Sequence, residues 1–140
     1  MRYLLDTNIM LFLLNDSGDL SSDVEAIIAD YGNSLHMSAA SVRELVAAWH
    51  KYPRMQRKWK TASEMLSFLD EQYNIEVAYP QREHYAKFVQ MDWNEVEDHR
   101  DTTDILIIAH AITEGMTLIS ADRKFPFYRR QGLKLLYNER

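Results

Sequence analysis

Residues 104–114 are DILIIAHAITE, a stretch that is apolar on nearly every side. A helix with this pattern is buried all round instead of showing one polar face to solvent. Gly115 is placed to end such a helix, and residues 117–120 (TLIS) follow it as a predicted strand. The stretch therefore predicts a central, buried helix that leads directly into a strand.

The alternation of helix and strand extends along the rest of the chain. Helices are predicted after Asp6, from Ser22 with a capping-box pattern, from Ala39, as one amphipathic helix over residues 53–73, and around Tyr85. Residues 91–100 are predicted to form a loop. Alternating strands and helices imply right-handed crossovers, so we expect an α/β fold with a mostly parallel sheet of four or five strands, flanked by helices on both faces. The other strands are predicted at residues 2–5, 34–38, 75–79 and 134–137.

The composition predicts a single domain over residues 1–140 and excludes several kinds of chemistry. The absence of cysteine excludes disulfides, thiolate catalysis and Cys-ligated zinc. No signal-peptide pattern or membrane-length apolar run is present, so we expect a soluble, cytoplasmic protein. The net charge of −5, from 16 basic and 21 acidic residues, argues against a passive nucleic-acid coating protein. It is compatible with a nuclease whose carboxylates hold metal ions.

Four acidic residues follow predicted strands or open the buried helix. Asp6 directly follows the first strand, and Glu44 lies one and a half turns into the helix after the second. Asp104 opens the buried helix, and Asp122 follows the fourth strand by two residues. Ligands of an open parallel sheet bind beyond the carboxyl ends of its strands. We therefore expect these four side chains to converge on one cleft.

Converging carboxylates repel one another unless cations are present, and Mg²⁺ prefers hard oxygen ligands. Asp6 and Asp104 are the expected direct ligands, with Glu44 and Asp122 acting directly or through bound water. Such a site suits metal-assisted hydrolysis of phosphodiesters. Each carboxylate also has a simpler explanation, because Asp6 and Asp104 occupy positions suited to helix N-caps, Glu44 could be solvated, and Asp122 could begin a turn.

Four segments resemble the four sequence motifs of the PIN domain, in the same order and over essentially the whole chain. The likeness within that family is to the VapC toxins. It implies a PIN-like three-layer fold and a metal-dependent endoribonuclease that is the toxin of a toxin–antitoxin pair. The four segments are Leu4-Leu5-Asp6-Thr7-Asn8-Ile9, residues 38–45 (SAASVREL), residues 99–111 (HRDTTDILIIAHA) and residues 118–125 (LISADRKF).

The resemblance also implies a set of site residues and partners. The cofactor would be Mg²⁺ or Mn²⁺. The partners would be RNA as substrate, a small cognate antitoxin whose tail occupies the cleft, and a second copy of the chain in a homodimer. The family's acidic positions fall on Asp6, Glu44, Asp104 and Asp122, and its polar helper positions fall on Thr7 or Asn8 and on Ser120.

The third motif departs from the family pattern at two points. Thr102 and Thr103 stand where Pro-Phe is common, and Ile105 stands where Arg or Ala often follows the second aspartate. Neither change removes a metal ligand, but the loop that aims Asp104 could differ. Asp101 would then either share metal binding or orient the two residues before it.

Residues 51–60 (KYPRMQRKWK) hold five basic and two aromatic residues. In an acidic protein this segment suits the RNA backbone, with Tyr52 free to stack on a base. The alternative is a solvated start to a helix whose Trp59 is in the core. A second basic cluster lies beside Asp122. The RNA-binding candidates are Lys51, Arg54, Arg57, Lys58, Arg123 and Lys124.

Two other functional classes fit the sequence less well, and the histidines do not form a recognisable metal site. A catalytically silent PIN-like domain that binds RNA or protein would gain little from four clustered carboxylates. A phosphatase with Asp6 as nucleophile needs a second aspartate two residues later, where this chain has Asn8. The histidines show no metal-ligand spacing, His110 is expected to be packed in the buried helix, and His99 is nearest the acidic motif.

Overall fold

The computed structural model describes residues 1–93 and 101–139. In these residues five parallel strands form one sheet in the order β3-β2-β1-β4-β5. This confirms the predicted α/β fold, with every pairing parallel. The predicted third strand ends one residue early, at Ala78. The strands are β1 (Arg2–Leu5), β2 (Ser34–Ser38), β3 (Ile75–Ala78), β4 (Thr117–Ser120) and β5 (Lys134–Tyr137).

Seven α-helices and one 3-10 helix connect these strands in the described part of the chain. Short start signals fix many of the helix boundaries: the Ser38 hydroxyl, for example, accepts a hydrogen bond from the Ala40 N–H. The α-helices are α1 (Thr7–Asn15), α2 (Ser22–Ala29), α3 (Ala39–Lys51), α4 (Pro53–Lys58), α5 (Ala62–Tyr73), α6 (Arg82–Gln90) and α7 (Thr102–Glu114); the 3-10 helix is Phe125–Gln131.

The sheet separates two hydrophobic cores, which makes the fold three-layered. Leu5 and Ile119 face the core that contains Leu45 of α3 and buried residues of α1 and α5. Leu4 and Leu118 face the opposite core, which contains Ile107 and its apolar neighbours in α7. Residues 105–111 are all buried, so α7 is the central helix that its apolar sequence predicts.

Some predicted helix boundaries were wrong, and the competing signals are local. The predicted helix over residues 53–73 is two helices, because Trp59 is extended and the Thr61 hydroxyl begins α5 by accepting the Glu64 N–H at 3.0 Å. The N-cap of α2 is Ser21 instead of Ser22. Most of the predicted loop at residues 91–100 lies outside the described residues.

No helix within residues 1–93 or 101–139 is both long enough and apolar enough to cross a bilayer.

Candidate active site

Asp6 is fixed where β1 ends, between β1 and β4. Its backbone N–H continues the ladder by donating to the Ile119 carbonyl at 2.9 Å. Its carboxylate accepts one hydrogen bond from the Thr7 N–H at 2.8 Å and another from the Ser120 hydroxyl at 2.7 Å. With only 4% of its surface exposed, Asp6 caps α1 and presents a buried carboxylate at the carboxyl edge of the sheet.

Glu44 is joined to this edge through Thr7. The Thr7 hydroxyl donates to Glu44 Oε1 at 2.5 Å, and it lies 3.0 Å from the Ser41 hydroxyl. Ser41 is fully buried on the same helix as Glu44, and nothing in its sequence position marks it as part of the site. The short polar contact links the start of α1 to α3, so Glu44 is held beside Asp6 instead of extending into solvent.

Asp122 reaches the same edge through Ser120. The Ser120 hydroxyl accepts the Asp122 N–H at 3.0 Å while donating to Asp6. Asn8 supports the same turn, because its side-chain oxygen accepts the Ala121 N–H at 3.2 Å. Asp122 also accepts the Lys124 N–H at 2.9 Å, so the turn role considered for it from sequence is real. One buried hydroxyl therefore connects the Asp6 carboxylate to the backbone of Asp122.

Asp104 lies in the first turn of α7, but it is not the N-cap. Asp101 is the N-cap, and its carboxylate accepts the Asp104 N–H at 3.1 Å. The helix predicted to start at Asp104 therefore starts two residues earlier, at Thr102. The Asp104 carboxylate is therefore not required for capping, and it is half-buried among the other acidic groups.

The electrostatics show that the four carboxylates share one environment. The pKa of the Asp6 carboxyl is raised to about 7, mainly by burial. The charges of Asp104 and Glu44 act in the same direction, and the hydrogen bonds from Ser120 and Thr7 oppose them. Burial likewise raises the pKa of Asp104 to about 7, and the charges of Asp101, Asp122 and Glu44 act in the same direction. Buried, mutually repelling oxygen donors are chemically the set that a hard divalent cation would stabilise. Within the described residues no three of these carboxylates bring ligand atoms within 4.8 Å of one another, so an ion would have to draw them closer together.

A cavity of about 540 Å³ opens beside this cluster. It is lined by Asn8, Ala121, Asp122, Arg123 and Tyr137. Arg123 is exposed, whereas Tyr137 is partly buried at the end of β5. Sequence analysis assigned Tyr137 only to a strand, because one tyrosine in an apolar strand carries no signal that separates a cavity wall from the core.

The basic segment of residues 51–60 divides into two kinds of residue. Arg54 donates to the Asn15 carbonyl at 3.2 Å, and Lys58 donates to the Leu14 carbonyl at 2.6 Å. Both therefore satisfy carbonyls at the C-terminal end of α1, where cations are also favoured by the helix dipole. Lys51 lies over the ring of the exposed Tyr52, and Arg57 is exposed. Trp59 is buried, as the structural alternative expected.

A second group of possible metal ligands, His84, His110 and Glu114, is arranged for packing. Glu114 is ten residues beyond Asp104 on α7, about 15 Å along the helix. The two buried imidazoles stack with centroids 3.8 Å apart. His84 Nδ1 accepts the Gln81 N–H at 2.7 Å, which leaves its proton on Nε2. A metal ion would have to bind at Nε2, which this hydrogen bond leaves protonated. A histidine that binds a metal normally donates a hydrogen bond from its other ring nitrogen, whereas Nδ1 of His84 accepts one.

His99 lies outside the described residues, as does its neighbour at position 100.

The family model of the PIN domain matches residues 3–131. The chain therefore belongs to the PIN domain family. The fold is similar to the solved structure of VapBC2 from Rickettsia felis bound to a promoter DNA fragment, with 22% sequence identity, a TM-score of 0.74 and coverage of 99% of this chain and 100% of that chain. It is also similar to the structure of VapBC-1 from nontypeable Haemophilus influenzae, with 20% identity, a TM-score of 0.67 and coverage of 98% of each chain. A third similar structure is FitAcB from Neisseria gonorrhoeae, with 18% identity, a TM-score of 0.61 and coverage of 97% of this chain and 96% of that chain. No curated protein sequence matches the chain.

Proposed function

We propose that this protein is a divalent-metal-dependent endoribonuclease, the toxin of a toxin–antitoxin pair. The observation that carries the proposal is the buried carboxylate of Asp6, which has a raised pKa and shares its surroundings with Asp104, Glu44 and Asp122 at the carboxyl edge of a parallel sheet. A domain without a cation would gain little from burying repelling charges together. Membership of the PIN family supports the same conclusion.

The chain's own residues divide into ligands and supports. Asp6 and Asp104 would hold the ion, assisted by Glu44 and Asp122. The bound Mg²⁺ or Mn²⁺ would supply Lewis-acid activation of water and stabilisation of the leaving oxygen. Thr7 orients Glu44 by its hydrogen bond. Asp101 fixes the first turn of α7 by accepting the Asp104 N–H.

Ser120 and Asn8 orient the other half of the site. Ser120 holds the Asp6 carboxylate and the Asp122 backbone at once, and Asn8 holds the turn between them. Arg123 and Lys124 follow Asp122 directly, so we assign them to the phosphate backbone of the substrate. The ladder from β1 to β4 supports this arrangement, because it fixes both turns to the same rigid edge.

Chelation tests the metal requirement. RNA cleavage by the purified protein should require Mg²⁺ or Mn²⁺ and should fall, in excess EDTA, to the level of the Asp104→Asn protein prepared in parallel. Cleavage products of a defined oligoribonucleotide, resolved on a gel, give the measurement. Undiminished cleavage in EDTA would overturn the metal mechanism. RNA binding without cleavage in either metal would favour the catalytically silent PIN-like alternative.

The basic segment gives a second expected outcome, with two matched double variants. The double variant Lys51→Ala/Arg57→Ala should raise KM with little change in kcat. It should also lower the slope of log KM against log salt concentration by about 1.4, because each lost phosphate contact on a single strand lowers the slope by about 0.7. Arg54→Ala/Lys58→Ala should instead reduce stability by on the order of 1 kcal/mol, because two helix-end carbonyls lose their donors.

Steady-state cleavage at several salt concentrations and thermal melting of both double variants make this measurement. If the Lys51/Arg57 variant keeps the parent KM, these two side chains are only solvated surface.

The partners follow from the same proposal. A similar solved structure, VapBC-5 from Mycobacterium tuberculosis, is described as a member of the VapBC family of toxin-antitoxin systems, so we propose a cognate antitoxin for this chain. We also propose a homodimer, on the family resemblance alone. Co-expression with the product of a neighbouring small gene, followed by a cleavage assay of the purified complex, tests the antitoxin: the complex should be inactive until the partner is removed.

A further inference from the structure

Tyr137 completes a row of three side chains across the carboxyl edge of the sheet. Ser120 and Tyr137 are partners in the parallel register of β4 and β5, and Asp6 continues the row beyond Ser120 through its bond to the Ile119 carbonyl. Partners in register point to the same face of a sheet, and neighbouring strands are about 4.8 Å apart. Tyr137 therefore begins about 5 Å from Ser120 and about 10 Å from Asp6 at the backbone.

The backbone at Tyr137 is held firmly by the next residue. Asn138 is buried, and its N–H donates to the Ser120 carbonyl at 2.8 Å. Its side-chain oxygen accepts the Ser21 N–H at 2.7 Å, and its side-chain NH₂ donates to the Asp19 carbonyl at 2.9 Å. The backbone that carries the ring is therefore already ordered, and a ligand that binds the ring does not have to order it.

The surroundings of the ring combine an aromatic surface, a cation and the carboxylate cluster. Tyr137 lines the cavity that also contains Asp122 and Arg123. An exposed guanidinium is suited to a backbone phosphate, and an aromatic ring is suited to an unstacked base. These two groups lie beside the residues that would carry the reaction, on the side of β5.

We propose that Tyr137 stacks on a base of single-stranded RNA next to the cleaved phosphate, with Arg123 on an adjoining phosphate. This inference rests on the proposed function, and it deepens it by naming how the site holds its substrate. Base–aromatic stacking tolerates any sequence, so Tyr137 contributes affinity and placement of the strand instead of choice of base. Tyr137 acts as a binding residue, without a part in proton transfer.

The test uses a short single-stranded oligoribonucleotide that carries fluorescent 2-aminopurine, bound to protein with the Asp104→Asn substitution so that the strand stays intact. Tyr137→Phe should keep both the affinity and the quenching of the fluorophore by stacking. Tyr137→Leu keeps an apolar side chain but removes the ring, and it should weaken binding about tenfold and abolish the quenching. Tyr31→Leu is the control, because Tyr31 is exposed and precedes β2 at the amino edge of the sheet.

Parallel cleavage assays separate this inference from the proposed function. In the otherwise unchanged protein, Tyr137→Leu should raise KM about tenfold with a smaller effect on kcat. If the parent cleaves RNA and Tyr137→Leu has the parent KM, the stacking inference is overturned and the nuclease stands. If the parent cleaves no RNA, the proposed function fails, and the quenching experiment still decides whether Tyr137 holds a base. Equal loss in the Phe and Leu variants would overturn stacking in favour of a hydroxyl contact.

Discussion

Asp104→Asn should leave the metal-free protein at least as stable as the parent while abolishing RNA cleavage. The Asp104 carboxyl has a pKa raised to about 7 by burial and by neighbouring carboxylates, so its ionised form is unfavourable in the folded state. Asparagine keeps the shape and removes the charge. Because Asp101 caps α7, the substitution does not disturb the helix start. The rise in pKa from 3.8 to about 7 corresponds to roughly 4 kcal/mol at its full extent. At pH 8 we expect about half of this, roughly 2 kcal/mol, as the gain of the metal-free variant, because burying the amide of asparagine also costs free energy.

The pH dependence gives this result a definite sign. Between about 4 and about 7 the folded parent holds a proton on Asp104 that the unfolded chain has released. The stabilising contribution of Asp104 is therefore complete below about pH 4 and is lost as pH rises through 7. The advantage of Asp104→Asn should be absent at pH 4 and should grow towards pH 8. Urea unfolding in EDTA at both pH values measures it.

Added metal should favour the parent over Asp104→Asn. Mg²⁺ or Mn²⁺ should raise the melting temperature of the parent more than that of Asp104→Asn, because a ligand stabilises only in proportion to its affinity. Asp101→Ala is the matched control: it should cost about 1 kcal/mol through the lost N-cap and keep most of the metal-induced shift. An active Asp104→Asn protein with the parent's metal response would contradict a ligand role for Asp104.

Acidification should destabilise the parent through His110. Burial lowers the pKa of His110 to about 4; His84 and His36 act in the same direction, against the opposing charges of Glu114 and Glu83. Between about pH 6.5 and 4 the unfolded chain binds a proton that folded His110 does not, so stability is lost as pH falls through this window. The shift corresponds to roughly 3 kcal/mol at its full extent.

His110→Leu isolates this contribution, because leucine fits an apolar helix and does not titrate. The stability difference between variant and parent should grow in favour of leucine by up to roughly 3 kcal/mol from pH 7 to pH 4. Comparing the two proteins at each pH cancels the titration of the carboxylates, which is common to both. Parallel stability curves across this range would mean that the folded protein does not lower the pKa of His110.

The place of the carboxylate site could be predicted because parallel sheets bind their ligands at the carboxyl ends of the strands. Asp6 and Asp122 follow strands almost directly, so the strand pattern alone places them at one edge. Glu44 was placed from its position in the helix after the second strand, and Asp104 from its position at the start of the buried helix. The site assignments stay predictions, since the structure gives their placement and not their action.

Contacts between distant segments could not be predicted in the same way. Ser41 occupies an ordinary helix position, and only its contact with Thr7 shows a role. Tyr137 belongs to an apolar strand, so its place beside Asp122 depends on the order of β4 and β5 in the sheet. The break at Trp59 was visible as a Thr61-x-x-Glu64 signal, but the apolar periodicity across it was stronger. Tertiary partners decide such cases.

The carboxylate cluster combines residues from the elements that form the two cores on opposite faces of the sheet. Glu44 is carried by a helix of one core and Asp104 by a helix of the other, while Asp6 stands on the strand between them. An ion bound by all three residues would cross-link the helical layers on the two faces of the sheet, which otherwise contact each other mainly through the sheet. Local unfolding of either layer would then release the ion. The local unfolding of the two layers would therefore be coupled when the ion is bound and more independent when it is absent.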